Sequence, residues 1–184
     1  MPIKRISLPI STQDIAQLKS GDSILLTGTL LTARDASHRR MLAELTSGIK
    51  LPFNLSGQTI YYTGPTPAKP GTVIGAAGPT TSIRMDSYTF YLLDLGLKCT
   101  IGKGKRSAEL KQKMLEKKAI YLSAVGGAGA LLSKTIKSAK PVAYVDLGPE
   151  SVFEIEVENF PAVVINDIYG GDLYIEGRVK YQIK

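Results

Sequence analysis

The chain has 184 residues, a formal net charge of +7, 43% hydrophobic and 21% charged residues. That length suits one domain with a substantial core, and the composition excludes a disordered or collagen-like chain. No segment reaches the roughly 20 apolar residues that cross a bilayer. The opening Met-Pro-Ile-Lys-Arg-Ile does not lead into a signal-peptide core, so a cytoplasmic location is expected.

In chain order, Ser11-Thr12-Gln13-Asp14 resembles a capping box and opens a short helix before Gly21. The apolar run 23–31 predicts a strand. Asp35 can cap a helix to about Leu45, with Met41, Leu42 and Leu45 on one face and Gly48 closing it. Strands follow at 58–63 and 72–77, then a helix from about Asp86 to Leu95 with Gly96 as its C-terminal glycine. The helix after Ser107 carries Leu110, Met114 and Leu115 and ends in Lys117-Lys118, as the helix dipole favours. A strand at 119–125, a helix over about Ala128 to Ser138 and strands at 141–147, 162–168 and 173–182 complete the chain. The last of these alternates only in part and reads as an edge or half-exposed strand. Strands and helices interleave without strict alternation. The expected class is α/β with a mixed sheet, in a single domain over residues 1–184.

The side-chain inventory limits the chemistry. Cys99 is the sole cysteine and His38 the sole histidine, so the chain has no internal disulfide and no self-contained zinc or iron–sulfur site. If the protein works on a metal, the ligands come from another chain. The positive charge is dispersed apart from Lys103-Gly-Lys-Arg106 and Lys117-Lys118, without the basic-plus-aromatic signature of an RNA-binding sheet. A basic pocket for a small dianion accounts for the same charge with fewer requirements.

Three places share one pattern, in which a strand ends, a loop carries a cation and a helix begins. They are Thr32-Ala33-Arg34-Asp35, the stretch 75–86 with Thr80, Thr81, Ser82 and Arg84, and Ile101-Gly102-Lys103-Gly104. Beyond the carboxyl ends of strands, free backbone N–H groups and helix dipoles favour anions. A guanidinium grips a carboxylate through two parallel hydrogen bonds, and a lysine adds a point charge. Each loop alone has an ordinary explanation: a solvated lysine in a glycine turn, a local Arg34–Asp35 ion pair, turn hydroxyls, a first-turn helix histidine at His38. Gly126-Gly127-Ala128-Gly129 lacks the lysine and spacing of a phosphate loop and suits close packing at a helix start. The coincidence of three cationic loops is what points to one anion site.

Thr-Ala-Arg-Asp-Ala-Ser-His at 32–38, Ile-Tyr-Tyr-Thr-Gly-Pro-Thr-Pro-Ala at 60–68 and Gly-Pro-Thr-Thr-Ser-Ile-Arg-Met-Asp at 78–86 occur in that order. Ile-Gly-Lys-Gly at 101–104, Gly-Gly-Ala-Gly-Ala-Leu at 126–131 and Asn-Phe-Pro-Ala-Val-Val-Ile-Asn at 159–166 follow. Together, over about residues 8–178, they resemble the beta subunit, or C-terminal domain, of the class I fumarases and L-tartrate dehydratases. These are iron–sulfur hydro-lyases.

The resemblance implies a swivelling β/β/α domain and a beta chain that acts with an alpha subunit in hydrating fumarate to L-malate. Dehydration of L-tartrate is the alternative, and a non-catalytic dicarboxylate-binding module is another. It implies a [4Fe–4S] cluster held by three cysteines of the alpha subunit, with one open iron acting as Lewis acid on the leaving hydroxyl. No metal ligand is then expected in this chain, and the assembly would be a heterotetramer of two alpha and two beta chains, without nucleic acid or membrane. By similarity, Arg34, Arg84 and Lys103 bind substrate carboxylates, and Thr80 is the catalytic hydroxyl, working with an aspartate of the alpha part. Asp35, His38, Thr81 and Ser82 are supporting residues. The chain departs from the family's Gly-Met-Glu-Ala-type segment at Gly148-Pro149-Glu150-Ser151, which bears on the alpha contact or on substrate choice.

Overall fold

Five parallel strands follow one another in chain order across a single sheet: β1 (Lys4–Leu8), β2 (Ser23–Thr32), β3 (Thr59–Tyr61), β4 (Cys99–Gly102) and β5 (Ile120–Ser123). The computed structural model describes residues 2–182. Two antiparallel strands complete the sheet, β6 (Ile136–Ala143) and the long β7 (Val152–Asn166). β7 pairs with β5 at one end and with β2 along most of its length. The pairings therefore close β2, β3, β4, β5 and β7 into a ring, with β1 and β6 attached outside it.

The sequence of the parallel strands explains their burial. Leu30, Tyr61, Ile101, Leu122 and Val164 belong to one apolar cluster, joined by Leu26, Ile155 and Phe160. Their chain neighbours Leu31, Ile60, Tyr62, Tyr121 and Ile165 belong to a second. Adjacent residues thus go to opposite faces, and both faces are covered, as parallel strands require. The helices between the strands are α1 (Thr12–Gln17), α2 (Asp35–Thr46), α3 (Asp86–Leu92) and α4 (Ala108–Lys117). α1 sends Ile15 to the first cluster, while Met41, Leu92, Leu110 and Met114 of the other three cover the second. Ser11 and Ser107 accept the Asp14 and Leu110 N–H groups as N-caps of α1 and α4.

Because β2 to β5 are parallel, their carboxyl ends and the loops after them share one edge of the sheet. The three cationic loops are the connections that follow β2, β3 and β4 there.

Several expected elements differ. Residues 72–77 form no strand: Ala76 returns to Thr66 through its carbonyl (3.1 Å) and its N–H (2.9 Å), while the Ala77 N–H goes to Gly129. The backbone groups are thus spent on single loop contacts. The helix over 128–138 shrinks to α5 (Gly129–Leu132) and a 3-10 turn, because 136–143 is drawn into β6 as the edge partner of β7. The 141–147 strand stops at Ala143, and a 3-10 stretch over Val145–Glu150 follows, bent at Gly148 (φ 56°). The strand expected at 162–168 is the end of β7, which begins at Val152. Residues 173–181 are helix α6 (Leu173–Tyr181), capped by the Asp172 carboxylate accepting the Tyr174 N–H. Partial alternation was a weak strand signal beside that cap. β1 had no counterpart among the predicted strands.

Candidate functional site

The loop from β3 to α3 enters the site by wedging between the ends of β3 and β4. The Thr80 N–H donates to the Tyr62 carbonyl (2.7 Å), the Lys103 N–H donates to the Thr80 carbonyl (3.2 Å), and the Ser82 N–H to the Lys103 carbonyl (2.8 Å). Thr81 and Lys103 thereby form a parallel bridge. Thr80 is half-buried, whereas the Thr81 and Lys103 side chains are exposed. Gly102 makes this approach feasible: a Cβ there would sit 2.0 Å from Ser82 Oγ and 3.2 Å from the Thr80 carbonyl oxygen. The Lys103 stem runs beside Gly126, so the glycine loop after β5 borders the same cation.

The other half of the site is a pair of arginines around one carboxylate. Arg84 donates from Nε to Asp35 Oδ1 (2.9 Å) and from Nη2 to Asp35 Oδ2 (2.6 Å). Arg34 Nε lies 3.5 Å from Asp35 Oδ2 and 3.5 Å from Glu150 Oε1. Partial burial of Asp35 opposes its ionisation, but the Arg84 bonds and charge outweigh it and hold the carboxyl below the usual range. Asp35 is therefore the first residue of α2 and its carboxylate serves Arg84, which corrects its expected role as helix cap. The first-turn Ala36 N–H is accepted instead by Glu150 Oε2 (2.6 Å), while Ser37 Oγ accepts the Arg34 N–H (2.9 Å).

His38 and Ser82 lie beneath the surface. His38 is fully buried, with Nδ1 on the Arg34 carbonyl at 2.8 Å and its ring edge-on to Tyr62. Burial, against the Arg34 hydrogen bond, lowers its pKa to about 4, so the ring is neutral near pH 7 and Nδ1–H donates. The Ser82 hydroxyl meets the Tyr121 hydroxyl (2.9 Å), which donates to the Gly104 carbonyl (2.8 Å). Both residues brace the loops.

Arg34, Asp35, Thr80, Thr81, Ser82, Arg84 and Lys103 thus share one sheet edge, and His38 sits behind Arg34. Two residues escaped sequence reading. Arg106, read there only as one of a local run of basic residues, is 4% exposed and lies over the Tyr62 and Tyr121 rings. Its Nε is 2.8 Å from Asp86 Oδ1, an ion pair outside hydrogen-bonding geometry, and Asp86 Oδ2 accepts the Ser107 N–H at 2.6 Å. This pair ties the start of α3 to the loop before α4. Glu150, marked in the sequence only as part of the departing 148–151 segment, reaches Arg34 from more than a hundred positions downstream.

The donor set does not suit an iron–sulfur cluster. Cys99 is buried within β4 and burial pushes its thiol up to about 12, the reverse of what a thiolate ligand needs. Among the described residues, no three His, Cys, Asp or Glu side chains converge as a metal site.

The sequence profile described as Fumarase C-terminus matches residues 2–177, nearly the whole chain. The chain belongs to this fumarase C-terminal family. A fumarate hydratase 2 of Leishmania major is 37% identical over 164 residues, which is 88% of this chain and 29% of that protein. A protein of Methanocaldococcus jannaschii that carries the name of an L(+)-tartrate dehydratase beta subunit is 38% identical over 173 residues, 91% of this chain and 89% of its own length. The anaerobic class I fumarate hydratase of Escherichia coli is 35% identical over 175 residues, 94% and 31% respectively. This fumarase C-terminal chain therefore spans about a third of the fumarate hydratases it matches, and most of the beta subunit. No helix among its described residues is long and apolar enough to cross a membrane.

Proposed function

We propose that this chain is the beta subunit of an iron–sulfur hydro-lyase that reversibly hydrates fumarate to L-malate, active only with an alpha subunit that holds the [4Fe–4S] cluster. The observation that carries this reading is the gathering of Arg34, Arg84, Lys103 and Thr80 at one sheet edge, on a chain whose lone cysteine is buried. Arg34, Arg84 and Lys103 bind the substrate carboxylates. Proton removal beside a carboxylate builds negative charge on it, and cations fixed in place stabilise that charge more than the ground state. Asp35 holds the Arg84 guanidinium in place through Nε and Nη2, which leaves Nη1 for a substrate carboxylate. Thr80 carries the hydroxyl for proton transfer, its backbone fixed at both N–H and carbonyl by the β3 and β4 ends. An unassisted threonine is a weak base, so it needs a partner group from the alpha subunit and the surrounding cations.

The test is anaerobic reconstitution of the chain with its alpha partner and cluster. Hydratase activity is expected only in the complex, with the chain alone cluster-free and inactive. A loaded complex that neither hydrates fumarate nor dehydrates L-tartrate would refute the proposal. L-tartrate dehydratase is the second reading, favoured by the near full-length match to the beta subunit. The ratio of kcat/KM for malate and L-tartrate separates the two.

A further inference from the structure

Tyr144 to Glu150 runs as a strap along α2. The Tyr144 hydroxyl donates to Glu44, Arg40 grips Asp146 through two bonds of 2.6 and 2.8 Å, and Glu150 Oε2 accepts the Ala36 N–H at 2.6 Å. Positions 36, 40 and 44 lie one turn apart, so the strap follows a single helix face. It ends at Arg34. There Glu150 Oε1 stands 3.5 Å from Arg34 Nε, a buried nitrogen without a hydrogen-bond partner. The Arg34 stem also presses on Gly64, where a Cβ would meet Arg34 Cδ at 2.8 Å and the Pro149 carbonyl oxygen at 3.3 Å. Asp35 stands equally far from that Nε, but Arg84 occupies both of its oxygens.

We propose that Glu150 is a positioning residue for Arg34, its carboxylate coupling the first turn of α2 to the guanidinium and holding that guanidinium ready for a substrate carboxylate. The geometry divides the labour between the two oxygens. Oε2 is anchored by the helix N–H, so Oε1 is a fixed negative charge beside Nε. Without it, the Arg34 guanidinium would be left facing Asp35, a carboxylate already engaged, and its orientation would be set by crowding at Gly64 alone. The substrate half of this inference rests on the proposed role of Arg34 in carboxylate binding.

The test uses Glu150→Gln, which keeps an acceptor for the Ala36 N–H and removes the charge, beside Glu150→Ala. In the full chain, the Arg34 Nε–H resonance, assigned by its loss in Arg34→Lys, is expected to exchange with water roughly tenfold faster in both variants. A residue that merely caps the helix would leave Glu150→Gln like the wild type, so unchanged exchange in that variant overturns the proposal. In the assembled enzyme, Glu150→Gln should raise the dicarboxylate KM about three- to tenfold with kcat within about twofold, and add almost nothing in an Arg34→Ala background. An equal further loss in that background also overturns it. If Arg34→Ala leaves KM unchanged while the Nε–H signal responds to Glu150, the positioning stands and the carboxylate-binding role of Arg34 fails.

Discussion

Full burial puts His38 on the wrong side of its ordinary pKa. Its folded value of about 4 lies below the unfolded 6.5, so between these limits the unfolded chain binds a proton that the folded chain does not. Stability contributed by the neutral ring is complete above pH 6.5 and is lost as pH falls towards 4. The loss amounts to about 3 kcal/mol at the lower limit. Asp86 works in the opposite sense, since burial, against Arg106 and Ser107, raises its carboxyl and favours the folded state where it is protonated. Urea midpoints at pH 7 and pH 4.5 should therefore differ less in His38→Asn than in the wild type. An equal acid sensitivity in both would assign the effect to other groups. At the same scale, Thr80→Ala in the assembled enzyme should lower kcat by about a hundredfold with KM within about threefold, as removal of a proton-transfer group does. An unchanged kcat removes Thr80 from the chemistry. That Arg34, Arg84 and Lys103 lie in loops at one sheet edge was legible because each stands between a strand signal and a helix start, whereas Thr80 was singled out only by the family resemblance. Glu150 was not legible, because it reaches Arg34 through the path of the strap.

The elements matter for how closely they let the loops approach. Gly102 ends β4 where the returning 80–82 segment lies against it, and its missing side chain is space that Ser82 Oγ and the Tyr62 ring already fill. Gly102→Ala is expected to cost about 1–3 kcal/mol through overpacking. It should also displace the Thr80 backbone, so kcat of the complex should fall while the urea midpoint drops only modestly. A variant with wild-type activity and stability would mean that the loops yield without consequence. Helices α2, α3 and α4 were legible because each pairs an apolar stripe with a start signal and a glycine or lysine end. The 72–77 run and the 128–138 and 173–182 segments were misread. Short apolar stretches carry little periodicity: the state of the first is chosen by Thr66 and that of the second by β7, while in the third a local cap at Asp172 outweighs partial alternation.

At the scale of the molecule, β7 is what closes the ring, and it pairs with strands that lie far away in the chain. Phe160 marks the seam: it is fully buried, opposite Leu26 in β2, with its ring edge-on to Tyr61 at 5.2 Å. Phe160→Ala should cost about 3–5 kcal/mol, read as a lower urea midpoint in a single cooperative transition. A loss confined to β6 and β7 in hydrogen exchange would mean that the seam is not integral to the core. The α/β class, helices α1 to α4, the cationic loops and the family could be read from the chain alone, because these depend on local periodicity, capping and motif order. The ring closure, the burial of Arg106 against Asp86, the use of Asp35 by Arg84 and the reach of Glu150 to Arg34 emerged only from the fold. Each of those joins residues distant in the chain, and such contacts depend on strand register and packing, which no short window of sequence encodes.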